Sequence, residues 1–242
     1  MGRAKEIIVK VIPAKIANAF VKKVHYSGKV VNMSSLHFGC FLDNQLHGVM
    51  SYGSPMDKRN VLPLVDSGET DINKRWNEML ELNRMAFDDY LPKYSESRCI
   101  AVSIRLINKN APQIKWIISF ADGTQCGDGT IYRASGFNLV GIAISGQVFN
   151  FNGEIVHGKI LWDKSLVKGW TVSDDCMNKL RAKGHKIERL NGFQLKYIYF
   201  IDKTKIKDLS VPIMPFLKID ELSAGMYKGN KVTLASRQAI EA

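Results

Sequence analysis

Residues 81–137 constrain the fold of this 242-residue chain more than any other stretch. Two apolar, strand-like runs, ELNRMAF and IKWIISFAD, are separated there by a helical pattern of about four turns. A parallel strand pair needs a crossover of this kind, and right-handed βαβ units of this type build parallel sheets. The sequence therefore predicts an α/β core with a parallel strand pair in this stretch.

The elements that follow extend this core. The helix predicted for residues 97–110 has apolar residues three or four positions apart and ends before Pro112. The strand over 114–122 is apolar on both faces, which is typical of a strand covered by helices on both sides. A glycine-rich turn then leads to a short helix at 131–135 and to another buried strand.

The flanking regions predict a larger mixed sheet. Before the core, a strand and a helix ending near Gly28 precede two alternating runs joined by Asp43 and Asn44, which is the pattern of a β-hairpin. Residues 146–192 have short strands, a turn and a lysine-rich helix, and we interpret them as an insertion. The predicted fold is α/β (α+β), a mixed, twisted sheet flanked by helices in one domain over 1–242, with a C-terminal tail at 216–242.

Positive charge is concentrated in two segments. The formal net charge is +11; residues 1–29 contribute +6 and residues 179–207 contribute +7, so the remainder is slightly acidic. Localised positive charge attracts polyanions such as nucleic acid. A solvated lysine-rich surface without a partner is the alternative, and composition alone does not decide between them.

Other features indicate a protein without membrane segments. No apolar run reaches the length of roughly 18 residues that spans a bilayer. The N-terminus alternates charged and apolar residues and does not resemble a secretory signal peptide. The four cysteines show no CxxC spacing, which favours reduced thiols. We therefore expect a cytoplasmic protein with no membrane partner.

Two strand ends are candidate binding positions, because open α/β sheets bind ligands at the carboxyl ends of their strands. One end is Phe87, followed by a loop and a helix whose N-terminus suits a phosphate or diphosphate. A simple helix cap is the alternative. The predicted cofactor-binding residues are Met85, Ala86, Phe87, Glu96, Ser97, Arg98 and Cys99.

The other strand end is Asp122. A carboxylate there can act as a base, bind a metal or cap the next helix, and the pattern leaves all three open. Tyr132 is an acid or a packing aromatic. His25, next to Tyr26 at a helix end, is the histidine that we expect near Asp122, although a structural role is the alternative. No short metal-ligand spacing such as HxH or HExxH accompanies them.

The order of elements, with YRASGF in the second helix, resembles the GNAT superfamily of acyl-CoA N-acyltransferases. A tyrosine four residues before a Gly-Phe pair matches Tyr132, Gly136 and Phe137. The diphosphate loop of that superfamily contains glycines, whereas this chain has SESRCIA there. That departure, together with ELNRMAF, ISFAD, GTIYRAS and KYIYFID, resembles the Mom family of phage DNA-modification proteins from about residue 25 to 202.

The resemblance to the Mom family implies an enzyme that converts the N6 amine of adenine in phage DNA to a carbamoylmethyl-type derivative and so protects DNA from restriction. It implies an acyl-CoA donor, with acetyl-CoA favoured, and leaves open a bound iron held by His25, Tyr26 and Asp122. The host cytoplasm would be its location. The residues implied around the reacting centre are Asp122, Tyr132, His25, Tyr26 and Ser119.

An enzyme that acts on a stacked base needs base flipping or single-stranded DNA, together with a phosphate-binding surface. The expected DNA contacts are Lys22, Lys23, Lys179, Arg181, Lys183 and Lys186. DNA is thus the predicted partner, and a homodimer is left open. Two alternatives remain: an acetyl-CoA-dependent N-acetyltransferase of a small amine or peptide, and a non-catalytic nucleic-acid-binding protein.

Overall fold

The computed structural model describes residues 2–124, 127–169 and 171–222, together with Ala224, 226–227 and 230–231. Much of the predicted tail, including residues 232–242, lies outside the described residues. No helix in the described ranges is both long and apolar enough to cross a membrane.

The strands of the described residues form one large sheet and one small one. They are β1 (Ile8–Val11), β2 (Ser34–Leu42), β3 (Gln45–Gly53), β4 (Met79–Phe87), β5 (Trp116–Asp122), β6 (Asn138–Phe151), β7 (Glu154–His157), β8 (Ile187–Phe200), β9 (Met226–Tyr227) and β10 (Asn230–Lys231). The first eight form one sheet in the order β1-β2-β3-β4-β5-β8-β6-β7, and β9 pairs with β10.

The α-helices connect or flank these strands. They are α1 (Ala14–Val24), α2 (Lys58–Val61), α3 (Ile72–Asn77), α4 (Ser95–Asn110), α5 (Thr130–Ala134), α6 (Gly158–Asp163), α7 (Asp174–Ala182) and α8 (Leu217–Glu221). Short 3-10 turns occupy Arg3–Glu6, Leu62–Leu64 and Lys203–Asp208.

The predicted mixed sheet flanked by helices is confirmed. β4 pairs with β5 in parallel, with α4 as the connection, whereas β1 to β4 are joined by antiparallel pairs. The β2–β3 turn has Asp43 and Asn44 at φ 50° and 62°, the left-handed conformation of a tight hairpin turn. Both residue types tolerate that conformation better than most, which explains why the sequence signal was reliable.

The chain divides into two compact units, and β5, β6 and β8 each contribute residues to both. The first unit comprises residues 1–120, 130–140 and 197–214. One of its apolar clusters centres on Trp116, Ile118 and Phe200, and a second packs α1 against Val49 and Ala86. Burial of these side chains is the main force that stabilises this unit.

The second unit comprises residues 121–129, 141–196 and 215–242. Its core includes Phe149, Leu161 and Leu180. Ser173 is the N-cap of α7, and its hydroxyl accepts the Cys176 N–H at 3.3 Å. The segment 146–192 falls within this unit, and its interpretation as an insertion into a single domain stays a prediction.

Candidate active site

The parallel strands β4 and β5 separate where the site residues begin. Their pairing runs from Met79 opposite Trp116 to Glu81 opposite Ile118, yet β4 continues to Phe87. A β-bulge at Asn83, where Leu82 and Arg84 face consecutive residues of β3, bends β4 at this point. The strands therefore open into a wedge beyond Glu81.

Ser119 lies at the fork of this wedge. Its side chain is fully buried, and its hydroxyl donates to the Leu82 carbonyl at 3.1 Å. The hydroxyl thus replaces a strand-to-strand hydrogen bond where regular pairing ends. Ser119 thus lies beside the wedge and links β5 to β4 through its hydroxyl. Its catalytic role stays a prediction.

The wedge exposes backbone groups of β4 to a ligand. The Asp88 N–H donates to the His47 carbonyl at 3.0 Å, so this residue bonds towards β3. Backbone groups alternate in direction along a strand, so those of Phe87 and Met85 point the other way, into the wedge. Ala86 is buried against α1, and its side chain is not available to a ligand. An extended chain with amide groups can pair with such an edge.

The helix that follows presents an N-terminus with no side-chain cap. Tyr94 is the N-cap of α4 with φ 69°, and its side chain makes no capping bond. The Ser95 hydroxyl donates to the Pro92 carbonyl, and the Ser97 hydroxyl donates to the Tyr94 carbonyl at 3.2 Å. The first-turn N–H groups of Glu96 and Ser97 are therefore not capped by these hydroxyls. Such an end of a 16-residue helix attracts phosphate oxygens.

Two predicted cofactor residues point away from that helix end. The Arg98 guanidinium donates through Nη2 to the Lys5 carbonyl at 2.9 Å. Cys99 is fully buried beside Cys40, and a hydrogen bond between the two thiols, together with burial, raises the pKa of Cys40. Phosphate binding at α4 would thus depend on backbone N–H groups more than on these side chains.

His25 ends α1 and is held by a short loop. Its Nδ1 accepts the Ser27 N–H at 3.1 Å, and it lies 2.8 Å from the Ser27 hydroxyl. The ring contacts that of Tyr26 with centroids 4.3 Å apart. Burial, aided by the positive charge of Arg84, lowers the pKa of His25 to about 4. The imidazole is therefore neutral near pH 7 and can accept a proton or bind a metal.

The lowered pKa of His25 predicts a pH-dependent stability. The unfolded imidazole titrates near pH 6.5 and the folded one near pH 4, so acid favours the unfolded chain. The stabilisation is complete above pH 6.5 and is lost as the pH falls towards 4. In His25→Asn, whose side-chain oxygen can still accept the Ser27 N–H, the acid-induced loss at about pH 5 should shrink by about 1 kcal/mol, allowing for partial exposure. Urea unfolding of both proteins at about pH 7 and about pH 5 measures this difference in the free energy of unfolding. The same acid-induced loss in His25→Asn as in the wild type would contradict the lowered pKa of His25.

Arg84 and Glu81 are site residues that the sequence reading missed. The Arg84 side chain donates to the carbonyls of Lys29 and Asn83, each at 3.0 Å. Burial raises the pKa of Glu81, while a bond from Asn83 and the charge of Arg84 partly offset this effect. Charged residues inside the ELNRMAF strand pattern were the available signal, because isolated charges in a core strand require partners.

Tyr132 lies in an aromatic cluster of the first unit. It is buried, stacks on Tyr197 with ring centroids 5.3 Å apart and contacts Phe137 edge-on at 5.5 Å. This packing fixes the orientation of the Tyr132 ring. Tyr197, in KYIYFID, is the neighbour that the sequence reading did not single out.

Asp122 begins a tightly bonded turn in the second unit. Its carboxylate accepts the Thr124 N–H at 2.9 Å, and the Thr124 hydroxyl oxygen accepts the Phe193 N–H at 3.1 Å. The Gly123 N–H also donates to the Phe193 carbonyl at 2.8 Å. These bonds orient the carboxylate, which suits a group that must accept a proton in a defined direction.

His157 is a second histidine that the sequence reading missed, and it belongs to the same unit as Asp122. Its Nδ1 accepts the Lys159 N–H at 3.1 Å and caps α6, so in the neutral ring Nε2 carries the proton. Burial lowers the pKa of His157, whereas the charge of Asp122 raises it. His25 and Tyr26 belong to the first unit, so their predicted grouping with Asp122 stays a prediction.

The predicted iron site has no further support from the geometry. Across the described ranges, no three His, Cys, Asp or Glu side chains converge to hold a metal ion. The Nδ1 atom of His25 is already engaged by Ser27. No step proposed below runs through iron.

The predicted DNA contacts fall into two groups. All six residues are exposed, but Lys179 and Arg181 differ from Lys22, Lys23, Lys183 and Lys186 in their contacts within the protein. Lys179 forms an ion pair with Asp175 at 2.6 Å, and Arg181 donates to the Ile187 carbonyl at 2.8 Å. Arg181 therefore holds α7 against the start of β8. This structural role is separate from the phosphate contact predicted for it.

The fold and site define an α/β protein in which diverging parallel strands and an uncapped helix N-terminus can bind an extended, phosphate-bearing ligand. The chain belongs to the Mom protein family, whose model matches residues 6–218. A relative from Escherichia phage Mu, methylcarbamoylase mom, is 33% identical over 211 residues, covering 87% of this chain and 82% of that protein.

Solved structures similar to this chain are acetyltransferases. A GNAT family acetyltransferase from Elizabethkingia anophelis with acetyl-CoA bound is 12% identical, with a TM-score of 0.45 over 80% of this chain and 97% of that chain. A Bacillus subtilis acetyltransferase in complex with CoA is 8% identical, with a TM-score of 0.44 over 80% and 98%.

Proposed function

We propose that this protein modifies DNA by converting the N6 amine of adenine to a carbamoylmethyl-type derivative, which would protect that DNA from restriction. The observation that carries the proposal is family membership across residues 6–218, supported by a methylcarbamoylase relative at 33% identity. The positive charge of residues 1–29 and 179–207, which precede and follow the predicted core in the sequence, is consistent with a DNA substrate.

Acyl-CoA is the proposed cofactor because the first unit has groups that suit its parts. The backbone edge of Met85 and Phe87 suits the amide-containing arm, and the N-terminus of α4 suits the diphosphate. When bound, acetyl-CoA supplies an activated two-carbon group. A simple acetyl transfer would bond N6 to a carbonyl carbon, whereas a carbamoylmethyl group is bonded through its methylene and carries an amide nitrogen. The conversion therefore also needs ammonia or an amine, which displaces the CoA thiolate at the carbonyl carbon. It needs a two-electron oxidant as well, because a C–H bond of the methyl group is replaced by the bond to N6.

The protein side chains have separate proposed tasks. Asp122 accepts the proton that the adenine amine loses, in the orientation set by Thr124. His25, neutral near pH 7, is a second proton acceptor, with Tyr26 beside it. Tyr132 is the proposed proton donor to the leaving thiolate, with its ring fixed by Tyr197.

An assay of purified protein with acetyl-CoA tests this proposal against its alternatives. DNA-dependent release of the CoA thiol, together with a modified adenosine after digestion, supports a DNA-modifying enzyme. Thiol release with small amines and no DNA would instead favour an N-acetyltransferase. Absence of thiol release, with salt-dependent DNA binding that survives substitution of both Asp122 and Tyr132, would favour a non-catalytic binding protein.

The basic residues predict separable effects on DNA binding. Replacing exposed Lys183 and Lys186 with alanine should weaken DNA binding and reduce the slope of log affinity against log salt by about two. Arg181→Ala should instead lower the melting temperature, because the guanidinium bonds the Ile187 carbonyl. Fluorescence anisotropy at several salt concentrations measures the slope. An unchanged slope in the double variant would remove this surface from the DNA interface.

A further inference from the structure

The loop between β4 and α4, residues 88–94, contains no glycine. Its last residue, Tyr94, nevertheless has φ 69°, a left-handed conformation that glycine adopts most easily, and the chain turns there into α4. Asp and Pro residues in the loop favour turns, and side-chain contacts also hold it. Those contacts come from Asp88 and Tyr90 in the loop and from three residues elsewhere in the first unit.

His47 and Asp88 form the inner part of this set. A β-bulge in β3 places His47 between Leu46 and Gly48, which pair with consecutive residues of β2, and bulges redirect side chains. The His47 side chain is buried, and its Nδ1 lies 3.0 Å and 3.2 Å from the two Asp88 carboxylate oxygens. Asp88 also accepts the Tyr90 N–H at 3.1 Å. The carboxylate thus joins the bulge to the loop.

The other edge of the His47 ring lacks a partner. Among the described residues, Nε2 is buried and makes no hydrogen bond. Buried polar atoms are nearly always paired, so an exception is unfavourable for folding alone. The cost of the unpaired Nε2 favours a positioning role for His47, in which its contacts with Asp88 and Tyr90 hold the loop.

Tyr90 closes the set from outside. Its ring stacks on the His47 ring with centroids 4.2 Å apart and an interplanar angle of 15°. Its hydroxyl donates to Asp43 at 2.7 Å, and Asp43 in turn pairs with Arg3. We call Arg3, Asp43, His47, Asp88 and Tyr90 the Tyr90 clasp. It joins the N-terminal turn, the β2–β3 turn and the β4–α4 loop.

We propose that the Tyr90 clasp holds the β4–α4 loop in the conformation that presents the N-terminus of α4 to the diphosphate of acyl-CoA, with Tyr90 as a positioning residue. This inference rests on the proposed use of acyl-CoA. A loop ordered before binding loses less conformational entropy when the ligand arrives, so affinity is higher. The clasp contains none of the proposed catalytic residues, so it should affect cofactor affinity and not the catalytic step.

Hydrogen–deuterium exchange of the ligand-free protein tests the clasp without reference to function. Tyr90→Ala should accelerate exchange of the amides in residues 88–97, whereas Tyr90→Phe, which keeps the stacking and loses the Asp43 bond, should do so less. Asp43→Gly, which removes the acceptor and keeps the left-handed turn, should resemble Tyr90→Phe. The matched control is Glu6→Ala, because it removes the other ion pair of Arg3 and leaves the clasp intact.

Acetyl-CoA binding and steady-state kinetics test the positioning role. In Tyr90→Ala, the Kd and KM for acetyl-CoA should rise about tenfold while kcat stays within about twofold, and Glu6→Ala should match the wild type. Faster loop exchange with unchanged Kd would overturn the positioning role, and unchanged exchange would overturn the clasp itself. A wild-type protein that binds no acetyl-CoA would refute the proposed cofactor, and with it the positioning role.

Discussion

Replacing Asp122 with asparagine is expected to reduce adenine modification at least a hundredfold, because general-base catalysis contributes about 10²- to 10⁴-fold. Asparagine keeps an oxygen that can accept the Thr124 N–H, so the turn after β5 should survive. The substitution therefore removes the proton acceptor with little change in shape. Single-turnover rates of DNA modification measure the effect.

Three comparisons make the result on Asp122 interpretable. The melting temperature of Asp122→Asn should stay near that of the wild type, and its DNA affinity should be retained. Asp122→Ala, which also loses the bond to Thr124, should be inactive and less stable. An active Asp122→Asn would show that this carboxylate does not accept the proton.

The largest expected loss of stability comes from Gly53→Ala at the end of β3. A Cβ there would collide with the Met33 carbonyl oxygen, a backbone atom, and would lie 2.8 Å from Oδ1 of Asn83, the bulged residue of β4. Relief would require the Met33 backbone, just before β2, or the Asn83 side chain at the bulge of β4 to move. We expect the free energy of unfolding to fall by about 3 kcal/mol, at the upper end for overpacking.

Gly141→Ala is the matched control for Gly53→Ala, because Gly141 also lies in a strand but has room for a methyl group. The nearest atom to its Cβ would be 3.7 Å away, on Lys196, which is an ordinary contact. In urea unfolding, the free energy of unfolding of Gly141→Ala should therefore differ from the wild-type value by no more than about 0.5 kcal/mol. Equal effects at the two positions would contradict the packing seen at Gly53.

The sequence predicted the architecture around residues 81–137 because its signals are local. The helix period of α4, the continuous apolar run of β5 and the Asp43–Asn44 turn each reflect a preference of a few neighbouring residues. The wedge between β4 and β5 has no local signal. It depends on a register shift at Asn83, which becomes visible only when three strands are aligned.

The candidate site was less predictable for the same reason. Arg98 was expected to face a phosphate, but its guanidinium reaches the Lys5 carbonyl, 93 residues earlier in the chain. His157 lies in β7, one of the short strands expected within 146–192, but the sequence analysis did not single it out. Burial lowers its pKa, and the charge of Asp122, which is far from it in the sequence, raises it. Contacts between residues far apart in sequence determine these roles, and a single sequence does not encode them as a pattern.

Mass spectrometry of nucleosides from DNA tests the central claim most directly. DNA should be isolated from cells that express the wild-type protein, and in parallel from cells that express Asp122→Asn, then digested with nucleases. The account predicts an adenosine species with the mass of an N6-carbamoylmethyl derivative in the wild-type sample and its loss in the variant. Only unmodified nucleosides in the wild-type sample, with folded protein present, would contradict it.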